Sequence, residues 1–250
     1  MGRAHRGVTA TARAGAMQAR ASHQVEQRVS WSLRDGLHWC DCGGRAVFLD
    51  LRADRYFCLP REANAAFLRA VCNERLPQDS ERLDLLVRRG LLGRGDAHAG
   101  IQSPATIEEP QSDFLSDQDG RASLLDIIRA ISSELRITWL LRRRTLHEVI
   151  ERVRLSRPKL GFVQRHEHGS IQSAVSAAEA TALLLRSHDR CLVRGLALHS
   201  SCRKRGLNTK LVIGVIAHPF TAHCWVQLGS VVLVGGYEQA RLYTPLLVLE

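Results

Sequence analysis

The sequence predicts a mixed α+β chain in two units, a small one of strands then helices and a larger one in which a helix precedes a run of strands. Three observations carry this reading. Short apolar runs broken by turn residues fill residues 36–59 and then give way to helical periodicity. Residues 93–120 are rich in Gly, Ser, Pro, Asp and Gln and have weak periodicity. Beyond Arg190, one helical stretch is followed by several branched-chain runs.

Taken in order, residues 1–28 carry Arg3, Arg6, Arg13, Arg20 and Arg28 among many alanines, with no acid before Glu26. This composition is like that of a transit peptide and lacks the apolar core of a secretory signal. Residues 1–33 are read as a disordered extension, or one that follows a start codon placed too early. A strand over 38–42 meets Gly43-Gly44, a dipeptide suited to positive φ in a hairpin. A second strand covers 46–51, a turn 52–54 and a third strand 55–59, giving a meander. Pro60 then suits the first turn of a helix holding Ala63, Ala66, Phe67, Ala70 and Val71. Leu83, Leu86 and Val87 mark a second helix, which Gly90 ends. These elements make a unit over 34–95, followed by a linker over 96–120.

The second unit spans 121–250. Residues 121–154 are helical, with Leu124, Leu125, Ile128 and Ile131 on one stripe and Ile137, Leu140, Leu141, Val149, Ile150 and Val153 on another. Residues 169–176 read as a loop and 177–188 as a helix. A helix over 191–205 is closed by Gly206. The run over 211–216 is a buried strand, and further strands are predicted at 222–228, 231–234 and 246–249.

Hydrophobic residues make up 45% of 250, so a packed core is expected. No apolar run reaches the length of a membrane span. A net charge of +10 favours anionic partners unless it is spread over solvated helix faces. The seven cysteines are irregularly spaced, with no CxxC pair, so free thiols in a reducing bacterial cytoplasm are expected and no metal or cofactor is called for.

Two residues point to chemistry. Cys191 follows His188-Asp189-Arg190 and opens an apolar helix, with Asp189 as a candidate cap. Unpaired N–H groups and positive partial charge at a helix start favour thiolate, the nucleophilic form, and can form part of an oxyanion hole. His223 lies on a strand, sharing a face with Trp225 and Gln227, while Cys224, Val226 and Leu228 face the packing side. A histidine brought by a sheet to a thiol at a helix start is the papain-type arrangement.

A longer pattern surrounds the pair: Cys191-Leu192 at the helix start, LVIGV from Leu211 to Val215, Pro219-Phe220, and Ala222-His223-Cys224-Trp225-Val226. It resembles the catalytic core of lasso-peptide biosynthesis B proteins, transglutaminase-like cysteine proteases that remove the leader from a lasso-peptide precursor. The resemblance implies a papain/transglutaminase-like fold over 121–250, with Cys191 as nucleophile and His223 as base. It further implies leader peptidase activity and, as partners, the precursor leader and a separate ATP-dependent, asparagine-synthetase-like cyclase. The unit over 34–95 resembles in pattern the small winged-helix-like peptide-recognition element that such systems fuse ahead of the protease. There an extended leader would add to the strand at 55–59, with Arg55, Tyr56 and Cys58 on that strand and Leu83 and Leu86 on the opposite wall.

One departure stands out. The family carries an aspartate about twelve residues after the histidine, where this chain reads Val234-Gly235-Gly236. Glu238, Gln227 and Asp189 are candidate replacements; a Cys/His dyad and an inactive, leader-holding chain are the alternatives. A DNA-binding regulator would fit a winged helix and the positive charge, but it leaves the pattern from Cys191 to Val226 unexplained, so nucleic acid is not expected as a partner.

Overall fold

The computed structural model describes residues 30–95, 101, 104–115, 122–155, 167–185 and 190–250. Strand β1 (Ser30–Leu33) leads into the meander β2 (Leu37–Asp41), β3 (Ala46–Asp50) and β4 (Arg55–Cys58). Helices α1 (Arg61–Val71) and α2 (Asp79–Arg88) follow, and β5 (Leu92–Gly95) returns to pair antiparallel with β1. Ser30 to Leu33, grouped with the extension on composition, therefore belong to the fold, with Trp31 buried.

The second half contains β6 (Ser112–Asp113), α3 (Leu124–Arg143), α4 (Leu146–Arg154), α5 (Glu167–Leu184), α6 (Cys191–Lys204), β7 (Lys210–Ala217), β8 (Phe220–Leu228), β9 (Val231–Val234), α7 (Tyr237–Ala240) and β10 (Thr244–Leu249). Five strands form a sheet in the order β10-β7-β8-β9-β6, antiparallel except for the β6–β9 pair. Residues 104–115, expected to be linker, lie along this sheet: β6 pairs with β9, and the Glu108 carbonyl accepts from Gln227. The predicted loop over 169–176 is helical within α5, where packing against neighbouring helices outweighs the disfavour of Gly169. The single helical stretch over 121–154 breaks into two at Arg144, whose extended backbone lets the Thr145 hydroxyl cap α4 by accepting from the Glu148 N–H.

The meander is buried on both faces. Every residue of β3 is buried, although its short apolar run was the only sequence sign of that. On one face Trp39, Phe48 and Phe57 pack with Phe67, Leu83 and Leu86 of the helices, and Phe48 stacks on Phe57. On the other face Cys40, Val47, Leu49 and Leu51 join Ile137, Leu146, Leu196 and Leu247 in the largest core. Polar contacts reinforce this junction. The Asp54 carboxylate accepts from the Leu146 N–H at 2.8 Å, and the Leu51 carbonyl accepts from the His147 N–H at 3.0 Å, so the β3–β4 turn completes the N-terminus of α4. The two units expected from the sequence thus share one sheet as a common layer.

Candidate active site

Helix α6 places Cys191 as its first residue, after Arg190 as N-cap. Asp189, expected to cap it, lies outside the described residues, and Arg190 makes no side-chain cap bond. The start of α6 is instead tied to α3 by Arg190 and the buried Glu134, whose charged atoms approach to 3.6 Å. Burial raises the Glu134 pKa, while Arg194 and Arg190 oppose that shift. Cys191 is partly buried and packs against the main core. One turn on, Gly195 has no side chain because a Cβ there would lie 2.9 Å from the Cys224 sulfur. The helix therefore seats closely on the Cys224–Val226 face of β8. Burial pushes the Cys224 thiol far up, and that of Cys202 up to about 12, so both are inert packing groups.

His223 projects from the other face of β8, as its alternation with Trp225 predicts. Its ring centroid lies 6.1 Å from Trp225 and 5.2 Å from Tyr243. Opposite it in the register stands Gly214, where a Cβ would come within 2.8 Å of the Trp225 ring and 2.9 Å of the Tyr243 Cβ. The glycine of the LVIGV run and the tryptophan two residues after the histidine are thus one packing unit: the first makes room for the second.

The decisive contact is at the other end of the imidazole. His223 Nε2 lies 2.8 Å from the carbonyl oxygen of Gly235, twelve residues later. A carbonyl can only accept, so Nε2 carries the proton and Nδ1 presents a lone pair. This is the tautomer a base facing a thiol needs. The carbonyl orients the ring as a carboxylate would, but supplies a dipole in place of a full charge for the imidazolium. No hydrogen bond joins Cys191 to His223: α6 seats on the Cys224–Val226 face of β8, and His223 lies on the Trp225 face.

With this geometry in view, comparison with known proteins adds one match: residues 134–248 fit the model of the transglutaminase-like superfamily. This stretch of the chain is a transglutaminase-like superfamily domain. That superfamily includes cysteine proteases and acyltransferases. No curated protein and no solved structure matches the chain.

Within the transglutaminase-like domain, two of the three side chains considered as a third member are engaged elsewhere, and Asp189 lies outside the described residues. Gln227 is fully buried; its oxygen accepts from the Trp225 indole at 2.7 Å and its nitrogen donates to the Glu108 and Gly229 carbonyls. Glu238 is exposed on α7, with its carboxylate 3.8 Å from Arg241. The group that meets the imidazole is a backbone atom, which no motif built from side chains would have flagged. The visible signal was the double glycine itself. Gly235 has φ +113, and a Cβ there would lie 2.5 Å from the Trp225 Cβ, so only glycine fits.

The residues expected at the leader site divide. Arg55 is exposed, its guanidinium 5.7 Å from the Phe57 ring. Tyr56 and Cys58 face the main core, and the Tyr56 ring lies 5.3 Å from Phe220 on β8. Burial, with smaller contributions from Cys224 and Cys191, raises the Tyr56 phenol to about 12. Leu83 and Leu86 are buried core residues under the meander, so they offer no wall to a ligand. Among the described residues, no group of three or more His, Cys, Asp or Glu could hold a metal ion.

Proposed function

We propose that the chain is a cysteine peptidase that removes the leader from a precursor peptide, as in lasso-peptide maturation. The observation that carries this is the His223 tautomer. Nε2–H is held by the Gly235 carbonyl, so Nδ1 is free to act as base, on the same domain that starts a helix at Cys191.

In the proposed reaction, Nδ1 takes the Cys191 proton and the thiolate attacks the scissile carbonyl. The C–N bond then breaks as the imidazolium returns the proton to the leaving amine. The leader remains as a thioester on Cys191, and the core peptide departs with a new α-amine. Water, deprotonated by the same Nδ1, hydrolyses the thioester. The N–H groups of the first turn of α6 are suited to stabilise the oxyanion. The first step requires the thiol, whose helix packs on the Cys224 face of β8, to reach the imidazole on the Trp225 face.

Among the described residues, strand β4 pairs with β3 on one side only, which leaves an edge to which an extended leader can add. With Tyr56 of β4 against Phe220 of β8, a leader held on that edge lies close to the cutting site, at raised effective concentration. An asparagine-synthetase-like cyclase would then consume the new amine.

A second reading, a chain that holds the leader without cutting it, is favoured by the missing carboxylate and the absent Cys191–His223 bond. Mass spectrometry of the cognate precursor with wild type, Cys191→Ala and His223→Ala separates the two. Cutting by wild type alone supports the peptidase. Binding without cutting supports the holder, and neither binding nor cutting removes both.

A further inference from the structure

Helix α3 packs its inner face, with Ile137 and Leu140, against α5 and α6, and turns a second apolar stripe outward. Leu124, Ile128, Leu135 and Trp139 are 78%, 56%, 53% and 57% exposed. Their spacing places all four on one side of the helix, over about 22 Å of its length. Arg129, Arg136 and Arg143 recur every seven residues beside that stripe, and all three are exposed. The helix has only two acids: Glu134 is buried, and Asp126 is engaged by Arg205 at 3.2 Å and Arg129 at 3.7 Å.

A groove of about 510 Å³ opens next to Ile128, between α3 and the end of α6. Arg129, Arg136, Lys204 and Arg205 line it, with Ser132 and Ser201 between them. Arg129 and Arg205 share Asp126, so the three arginines of the groove outnumber that carboxylate. Cations and hydroxyl donors around a concavity suit a phosphate ester.

From the stripe and groove together we infer that α3 is a docking face for an anionic phospholipid surface. The stripe enters the acyl boundary and the groove takes a headgroup phosphate. An exposed apolar stripe of this size on a soluble domain calls for a partner. Leucine and tryptophan bordered by arginine is the composition of a helix lying in a membrane interface. A second copy of the chain is disfavoured, because its own arginine border would face this one. No helix among the described residues is long and apolar enough to cross a membrane, so the contact is with the surface.

The structure supplies its own probe. Of the four tryptophans, Trp31, Trp39 and Trp225 are buried, and Trp139 is the exposed one. The full chain is mixed with vesicles of one part phosphatidylglycerol to three parts phosphatidylcholine, and separately with phosphatidylcholine alone. Flotation with the anionic vesicles, a blue shift of Trp139 emission, quenching by brominated acyl chains and weakening by salt are expected. Arg129→Ala with Arg136→Ala, and separately Leu124→Ser with Leu135→Ser, should each weaken binding roughly tenfold or more. These side chains are exposed, so the variants should melt like wild type, and a variant that does not is replaced by Ile128→Ser. Failure to float with anionic vesicles at low salt overturns the inference, as does binding untouched by both double variants. Binding to polyglutamate but not to vesicles would assign the face to an acidic protein. A dimer dissolved by Trp139→Ser would assign it to a second copy.

Discussion

At the scale of single residues, the imidazole of His223 depends on where one backbone carbonyl points. Gly235 holds that carbonyl at 2.8 Å from Nε2 only because it has no Cβ to strike Trp225. Gly235→Ala should therefore turn the carbonyl away and slow leader cleavage by about 10²-fold or more, with the loss read in single-turnover rates. Nitrogen chemical shifts of the imidazole would show a mixed tautomer in that variant. Gly235→Asp, which puts an acid at this position, should fail to build a triad, because its Cβ meets the same 2.5 Å obstacle; a gain in rate would sink the account of this position. His199 makes a separate prediction. It is buried against Thr209 with a 3.0 Å bond, and burial lowers its pKa from 6.5 to about 4. The unfolded chain binds a proton at this residue below pH 6.5 that the folded chain refuses until about pH 4. Stability is thus unaffected above that window and falls across it, by up to roughly 3 kcal/mol. Urea midpoints at pH 7 and pH 5 should show the slope, and His199→Gln should flatten it.

At the scale of elements, the break between α3 and α4 is set by local chemistry. Thr145 caps α4 by accepting from the Glu148 N–H, while Asp54 and Leu51 accept from the two donors before it, Leu146 and His147. Thr145→Ala should cost about 1 kcal/mol, seen as a lower urea midpoint with unchanged slope. Thr145 with Glu148 three residues on is a capping-box pattern, yet 121–154 was expected as one helical stretch. The meander and the strands after Arg205 were legible, because turn glycines and unbroken branched-chain runs are local signals. Helix α5 was read too short: Gly169 pointed to a loop, and packing against α3 and α6 overrode that weak preference. Of the outward stripe of α3, Leu124 and Ile128 were legible as periodicity and Leu135 and Trp139 were not, and periodicity does not say whether a stripe faces a core or solvent.

At the scale of the whole molecule, the meander is a layer common to both halves. Val47, Leu49 and Leu51 fill a core completed by Ile137, Leu146 and Leu247. A fragment beginning at residue 104 would expose that surface, so it should melt without a cooperative transition and bind hydrophobic dyes. An independently folded fragment with a sharp melt would refute the shared layer. In the full chain Leu49→Ala should cost about 2–4 kcal/mol and weaken cleavage and leader binding together, because a single packing defect lies under both. The junction also brings Tyr56 to Phe220, and the Arg45 guanidinium to 2.6 Å from the His218 ring.

By itself the sequence determined the order of most elements, the place of Cys191 at a helix start and of His223 on a strand, and the absence of an acid twelve residues on. Each of these follows from periodicity, capping and motif spacing, which act over a few residues. Tertiary structure alone decided that the Gly235 carbonyl meets the imidazole, that Gln227 is occupied by Trp225 and two carbonyls, that Leu83 and Leu86 are core, and that the two halves share a sheet. These depend on contacts between segments far apart in the chain, or on a backbone atom that every residue carries and no sequence pattern distinguishes.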